Sequence, residues 1–168
     1  IRDQVYVSNH FIWNNNFGPA ESYEVTAGFL LRTWNLEITA HSGILKDFIF
    51  YHQDYLPQQF GDYVSVNDLK LSNTFRYGKI GCDNRLQFSH SGNEEVAPVP
   101  LLTWYTSVYY HNYFFKRVLG FRAGIDVNYH SEYYGYGYMP ATGIFYVQQE
   151  KKFGNYPQLG AFVNLNIK

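Results

Sequence analysis

The feature that most constrains this chain is a two-residue alternation of apolar and polar side chains that recurs through seven or eight segments. A strand points successive side chains to opposite faces, so this rhythm describes sheets with one apolar and one polar face. Between Arg117 and Glu132, for example, Leu119, Phe121, Ala123, Ile125, Val127 and Tyr129 alternate with Gly120, Arg122, Gly124, Asp126, Asn128 and His130. A soluble sandwich alternates too, but its polar face meets bulk water and is richer in Lys and Glu than this one. Glycines and single charges share the polar face here, as they do inside a barrel whose outer face meets lipid.

The same split recurs elsewhere. Tyr23, Val25, Ala27, Phe29 and Leu31 oppose Glu24, Thr26, Gly28 and Arg32; Trp34, Leu36, Ile38, Ala40 and Ile44 oppose Asn35, Glu37, Thr39, His41 and Gly43. Leu69, Leu71, Phe75 and Tyr77 oppose Asp68, Lys70, Ser72, Thr74 and Arg76, with Asn73 breaking the apolar face. Ile80, Cys82, Leu86 and Phe88 oppose Asp83, Arg85, Gln87 and Ser89, with Asn84 as a second break. From Leu101 to Phe115, Leu102, Trp104, Val108, Tyr110 and Phe114 are set outward against Thr103, Tyr105, Ser107 and His111. Leu159, Ala161, Val163, Leu165 and Ile167 oppose Gly160, Asn164, Asn166 and Lys168, and the segment from Gln4 to Trp13 carries Val5, Val7, Phe11 and Trp13 on one side. The chain is thus expected to hold about eight strands of the length that crosses a bilayer at a tilt.

Connection lengths supply an independent argument. Short links at Leu31 to Thr33, Tyr77 to Gly81 and Phe115 to Val118 alternate with long ones at Asn14 to Ser22, Lys46 to Tyr63, Ser89 to Pro98 and Ser131 to Pro157. Outer-membrane barrels alternate short periplasmic turns with long external loops, whereas a soluble barrel has no reason to. Trp13, Trp34, Trp104, Phe114 and Phe115, near strand ends, suit interfacial aromatic girdles.

Composition agrees: aromatics are 20% of the residues, with 17 Tyr and 14 Phe, which suits a pleated sheet surface rather than a helix. The net charge is −1 and the 13 basic residues form no run, which argues against a nucleic-acid partner. Cys82, the single cysteine, excludes an internal disulfide and a cysteine-cluster metal site, and reads as a small apolar strand residue. No window of 18 apolar residues exists for a membrane helix. The start, Ile1-Arg2-Asp3-Gln4, lacks the basic and apolar parts of a signal peptide, so the chain is expected to be processed or to begin inside a longer protein.

The polar parity nominates a lumen lining: Glu24, Glu37, His41, Asp68, Lys70, Arg76, Asp83, Arg85, Arg122 and Asp126. With Lys168 added, its charges number five of each sign, so the balanced count expects weak preference between ions. His10, His41, His52, His90, His111 and His130 show no ligand spacing on a shared element, and no metal site is expected. Ser42 beside His41 and Ser89 beside His90 point to opposite faces of a strand, the wrong geometry for a nucleophile and its base, so an enzyme is not expected. Glu94-Glu95 reads as a solvated turn, too sparse in carboxylates for calcium. Gly135-Tyr136-Gly137 lacks the strand-to-helix context of a nucleotide motif. Tyr133, Tyr134, Tyr136 and Tyr138 are expected to pack their loop against the barrel mouth, with sugar stacking the alternative.

Tyr133-Tyr134, the run Tyr138-Met139-Pro140-Ala141-Thr142-Gly143-Ile144-Phe145-Tyr146-Val147-Gln148, then Gly154-Asn155-Tyr156-Pro157 and Val163-Asn164-Leu165-Asn166-Ile167-Lys168 resemble the C-terminal region of the putative porins of Bacteroidota. Phe11-Ile12-Trp13-Asn14-Asn15-Asn16-Phe17 is also similar to that family's pattern. The resemblance implies an outer-membrane barrel with more strands than this chain holds. Family members continue past this point and finish on an aromatic residue, whereas this chain stops at Lys168, so a fragment of a larger barrel is expected.

The expectation is therefore an all-β chain, a single region over residues 1–168, forming part of an antiparallel transmembrane β-barrel in a bacterial outer membrane. A porin-like passive channel for small polar solutes is the first functional reading. A structural or docking subunit of an envelope assembly is the second. No cofactor is expected, and the partners would be outer-membrane lipid and lipopolysaccharide, with other envelope proteins as a further class.

Overall fold

The computed structural model describes residues 4–8 and 11–167, with side chains from residue 11 onward. Its strands are β1 (Gln4–Ser8), β2 (Phe11–Asn14), β3 (Glu21–Leu31), β4 (Leu36–Tyr51), β5 (Pro57–Tyr77), β6 (Ile80–Ser91), β7 (Leu102–Phe114), β8 (Leu119–His130), β9 (Tyr133–Tyr134), β10 (Gly137–Met139), β11 (Ile144–Tyr146), β12 (Lys152–Phe153) and β13 (Gln158–Ile167). Seven form one antiparallel sheet, β3-β4-β5-β6-β7-β8-β13, each beside its neighbour in the chain. The sheet is open: β3 and β13 are its edges and do not pair with each other.

Three connections are short because local residues can turn sharply. A 3-10 turn, Arg32–Trp34, links β3 to β4 and ends on Asn35 at φ 47°, a left-handed conformation that asparagine tolerates better than most residues. Gly78, at φ 58°, and Lys79 link β5 to β6, whose last pair is Tyr77 opposite Ile80. Phe115, Lys116 and Arg117 turn from β7 to β8 with φ of 51°, 54° and 74°. Antiparallel order puts these three turns at one end and the other connections at the opposite end.

Three expectations are corrected. The Gln4 to Trp13 segment is a separate hairpin of β1 and β2, outside the main sheet. In the sequence the polar run Ser8-Asn9-His10 interrupts this segment, with Asn9 at an apolar parity position; residues 9–10 lie outside the described residues. Lys46 to Tyr63 is mostly strand: past an irregularity between Lys46 and Phe48, Phe48–Tyr51 keep pairing with Pro57–Phe60, and five residues remain to turn. The β-forming run Phe48-Ile49-Phe50-Tyr51 makes this extension favourable. Trp34 and Asn35 lie in the turn, not in the strand.

The sheet's two faces are opposite in character. Large apolar side chains of one parity stand exposed: Val25 at 71%, Phe29 at 63%, Phe75 at 61%, Ile125 at 57% and Leu165 at 62%. On the other parity lie the buried positions Val64, Ser89, Ser91, Ser107 and Tyr109. One face of the sheet, the outer, is therefore apolar and exposed, and the other, the inner, is polar and carries the covered positions.

At the end away from the short turns, the β4–β5 arm gathers the remaining chain. Trp13 packs edge-on to Tyr51 with ring centres 6.1 Å apart, Tyr55 meets Phe11 at 6.4 Å and Tyr146 at 4.7 Å, and the Val147 amide donates to the Tyr51 carbonyl at 2.9 Å. Gln59 exchanges two 2.9 Å hydrogen bonds with the Gly18 backbone. Residues 131–157 are no structureless loop: they carry β9 to β12 in two small sheets. Their organiser is buried Gln148, whose side-chain amide donates to the carbonyls of Gly135 and Lys151 and whose oxygen accepts from the amides of Glu150 and Lys151.

Candidate functional site

Register decides which polar residues meet. On the inner face, Leu30, Glu37, Ser72, Arg85, Tyr105 and Asn128 form one row, and Thr74, Asp83, Ser107 and Asp126 belong to the rows nearer the short turns. All ten sequence-nominated residues fall on this face. Contacts agree: Thr26 Oγ1 lies 3.0 Å from His41 Nδ1, Asp68 accepts from Gln87 at 3.1 Å and Ser89 at 2.5 Å, and Tyr105 donates to Asp126 at 3.2 Å. A lumen requires a closed sheet, and this sheet is open. Lys168 lies outside the described residues.

The tightest cluster centres on Tyr109, 4% exposed, which is paired with Gly81 on one side and Gly124 on the other. A Cβ on Gly81 would collide with the Tyr109 ring, so that neighbour must be glycine for the ring to lie down, and one on Gly124 would collide with the Val108 carbonyl and the Tyr109 backbone, so the two strands pack closest with glycine there too. Arg122 stacks on that ring with its guanidinium carbon 3.4 Å from the centroid, and its Nη2 donates to Asp83 Oδ2 at 2.9 Å. The Tyr109 hydroxyl reaches the other Asp83 oxygen at 3.4 Å. A stacked, carboxylate-paired guanidinium is fixed in direction, which a lysine could not reproduce.

Beside this cluster the inner face opens into a cavity of about 1170 Å³. It brings together six of the ten nominated residues, Glu37, Lys70, Arg76, Asp83, Arg85 and Arg122, with Ser72, Thr74, Gln87, Thr103 and Tyr105 between them. Asp126 is joined through Tyr105, while Glu24, His41 and Asp68 stand apart, in rows closer to the long-connection end. Parity could assign Tyr109 to the inner face, but its role was not legible without the cross-strand register that sets it between two glycines.

Several polar residues on the apolar face find hydrogen-bond partners, in other side chains or in backbone carbonyls. Thr106 donates to Asn84 Oδ1 at 2.7 Å, and Asn84 Nδ2 donates to Cys82 Sγ at 3.3 Å. Ser42 donates to Asn67 at 2.7 Å, and Asn73 Nδ2 to the Trp34 carbonyl at 2.6 Å. The two sequence breaks, Asn73 and Asn84, are thereby accounted for. Glu95 N–H donates to Asn93 Oδ1 at 3.0 Å, a turn contact. Tyr138 packs against Phe145 at 5.1 Å and Tyr133 against His130 at 5.7 Å, while Lys152 is held above its ordinary pKa by the Glu132 carboxylate 2.9 Å away.

These features define the class: an all-β protein built on one antiparallel sheet, apolar outside, polar and cavity-bearing inside. The chain belongs to the putative porin family, whose model matches residues 3–168, and is a porin-like outer-membrane protein. No curated protein and no solved structure matches it.

Proposed function

We propose that the seven-stranded sheet is part of the wall of a closed transmembrane β-barrel, from a member of the Bacteroidota, that acts as a passive channel for small polar solutes. The observation that carries this reading is the opposition of the two faces, with exposed apolar side chains outside and a polar cavity inside. An exposed apolar face of this extent is unfavourable in water and favourable in lipid. The open edges of β3 and β13 point the same way: in hydrocarbon each unpaired backbone group costs several kcal/mol, so further strands beyond these seven would complete the ring. The full-length protein, reconstituted into planar bilayers, is expected to give stepwise conductance, and liposomes containing it to swell in small sugars. Absence of both, with a correctly inserted barrel, overturns the channel and favours the docking role.

A further inference from the structure

We propose that the inner-face cavity is a binding track for small anionic solutes, carboxylates and phosphate monoesters, built along β5 from Lys70 to Arg76 and completed by Arg85 from β6. The inference deepens the channel reading and rests on it only for the solute's passage, not for its binding. Counted over the whole inner face, the charges nearly balance; counted over the cavity they do not. Lys70, Arg76, Arg85 and Arg122 line it against Glu37 and Asp83, an excess of two positive charges. Asp83 is already committed to Arg122, which leaves three cations facing Glu37 alone. None of these three has a carboxylate partner among the described residues; Arg85 lies 5.7 Å from the Tyr105 ring centre. Other inner-face acids lie outside the cavity, with Asp68 holding Gln87 and Ser89 and Asp126 holding Tyr105.

Spacing gives the track its form. Lys70, Ser72, Thr74 and Arg76 follow one another on the inner parity of β5, so two hydroxyls bridge two cations over about 20 Å at the usual rise per residue. Arg85 sits directly opposite Ser72, which makes it a diagonal neighbour of Lys70, about 7–8 Å away across the pair. An anion can thus exchange one cation for the next through hydroxyl donors, and partial desolvation in a concave site strengthens each contact relative to bulk water. Arg122 is the fixed end of the set, held by Tyr109 and Asp83.

The test uses the full-length protein in planar bilayers under a potassium chloride gradient, with inorganic phosphate as the binding probe by titration calorimetry in detergent. Chloride is expected to be favoured over potassium several-fold, phosphate to block the chloride current and bind saturably, and K70Q/R76Q/R85Q to abolish both. Lys79→Gln, in the β5–β6 turn, should leave both unchanged, and Glu37→Gln should raise the anion preference, a gain that misfolding cannot mimic. A preference for potassium, or phosphate binding that survives in a folded triple variant, overturns the anion track and leaves the channel standing. Phosphate binding lost in the triple variant, without conductance in the parent, supports the site and overturns the channel. Absence of phosphate binding in the folded parent overturns the site.

Discussion

Arg122 lies flat on Tyr109, its guanidinium carbon 3.4 Å from the ring centre, while its Nη2 holds Asp83 at 2.9 Å from a strand two positions away in the sheet. Removing Arg122 leaves a half-buried carboxylate without its charge partner; removing both charges does not. Arg122→Met should therefore destabilise the protein more than the double variant R122M/D83N. The expected coupling is about 1 kcal/mol, since both side chains retain some solvent. Urea unfolding in lipid vesicles checks it, and additive single effects would show that the pair is incidental.

Tyr109 depends in turn on its glycine neighbours. Gly124→Ala places a methyl group against the Val108 carbonyl and the Tyr109 backbone, contacts that cannot swing away, so a loss of about 1–3 kcal/mol is expected from overpacking. Gly28→Ala is the control, since a Cβ there meets nothing within 4 Å. The same unfolding assay should separate the two variants.

The β7–β8 turn stores strain in three successive left-handed residues, none of them glycine. Lys116→Gly removes the Cβ that penalises this conformation and is expected to stabilise the protein by up to about 1 kcal/mol, less the added freedom of glycine in the unfolded chain. A lower midpoint of unfolding would mean that the turn relaxes in the membrane.

Strand positions and face parity were legible because alternation is a geometric property of the strand itself: Ile125 and Asp126 take opposite faces wherever the sheet sits. The initial hairpin was not legible, because Val5, Val7, Phe11 and Trp13 keep one parity across Asn9 and hide the break. The β4–β5 arm was not legible either, because Gln58, Gln59 and Asp62 look like loop, whereas cross-strand pairing carries the ladder through them. The cavity needs tertiary placement: Asp83 and Arg122 are 39 residues apart and meet only through the register of β6, β7 and β8. A balanced charge count along the chain said nothing of this segregation.

If the apolar face meets lipid, charge is tolerated by side of the sheet rather than by exposure. Ile125 is 57% exposed, as a surface residue of a soluble protein could be, yet Ile125→Lys should cost about 2–4 kcal/mol near the bilayer midplane. Asn128→Lys, exposed on the inner face of the same strand, should cost little. Equal tolerance of the two, read as the heat-modifiable folded fraction on gels, would place both in water.

Three tryptophans allow the same boundary to be read without introducing a charge. Trp104 is 41% exposed on the apolar face, Trp34 is 69% exposed in a short turn, and Trp13 is 8% exposed in the cluster at the opposite end. In single-tryptophan variants reconstituted with lipids brominated along their chains, Trp104 should be quenched strongly if the apolar face on which it stands meets acyl chains, as the channel reading requires. Trp34 should respond best to bromine near the headgroup, as a girdle residue does. Trp13 should respond to neither, since it is buried against Tyr51 in the cluster at the end away from the short turns, which the channel reading sets outside the bilayer. Iodide added outside intact cells should reach Gln53, replaced by tryptophan, and not Trp34, because the long connections and short turns lie at opposite ends of the sheet. The reverse pattern would invert the barrel in the membrane while leaving its face assignment intact; strong lipid quenching of Trp13 together with none at Trp104 would sink the face assignment itself.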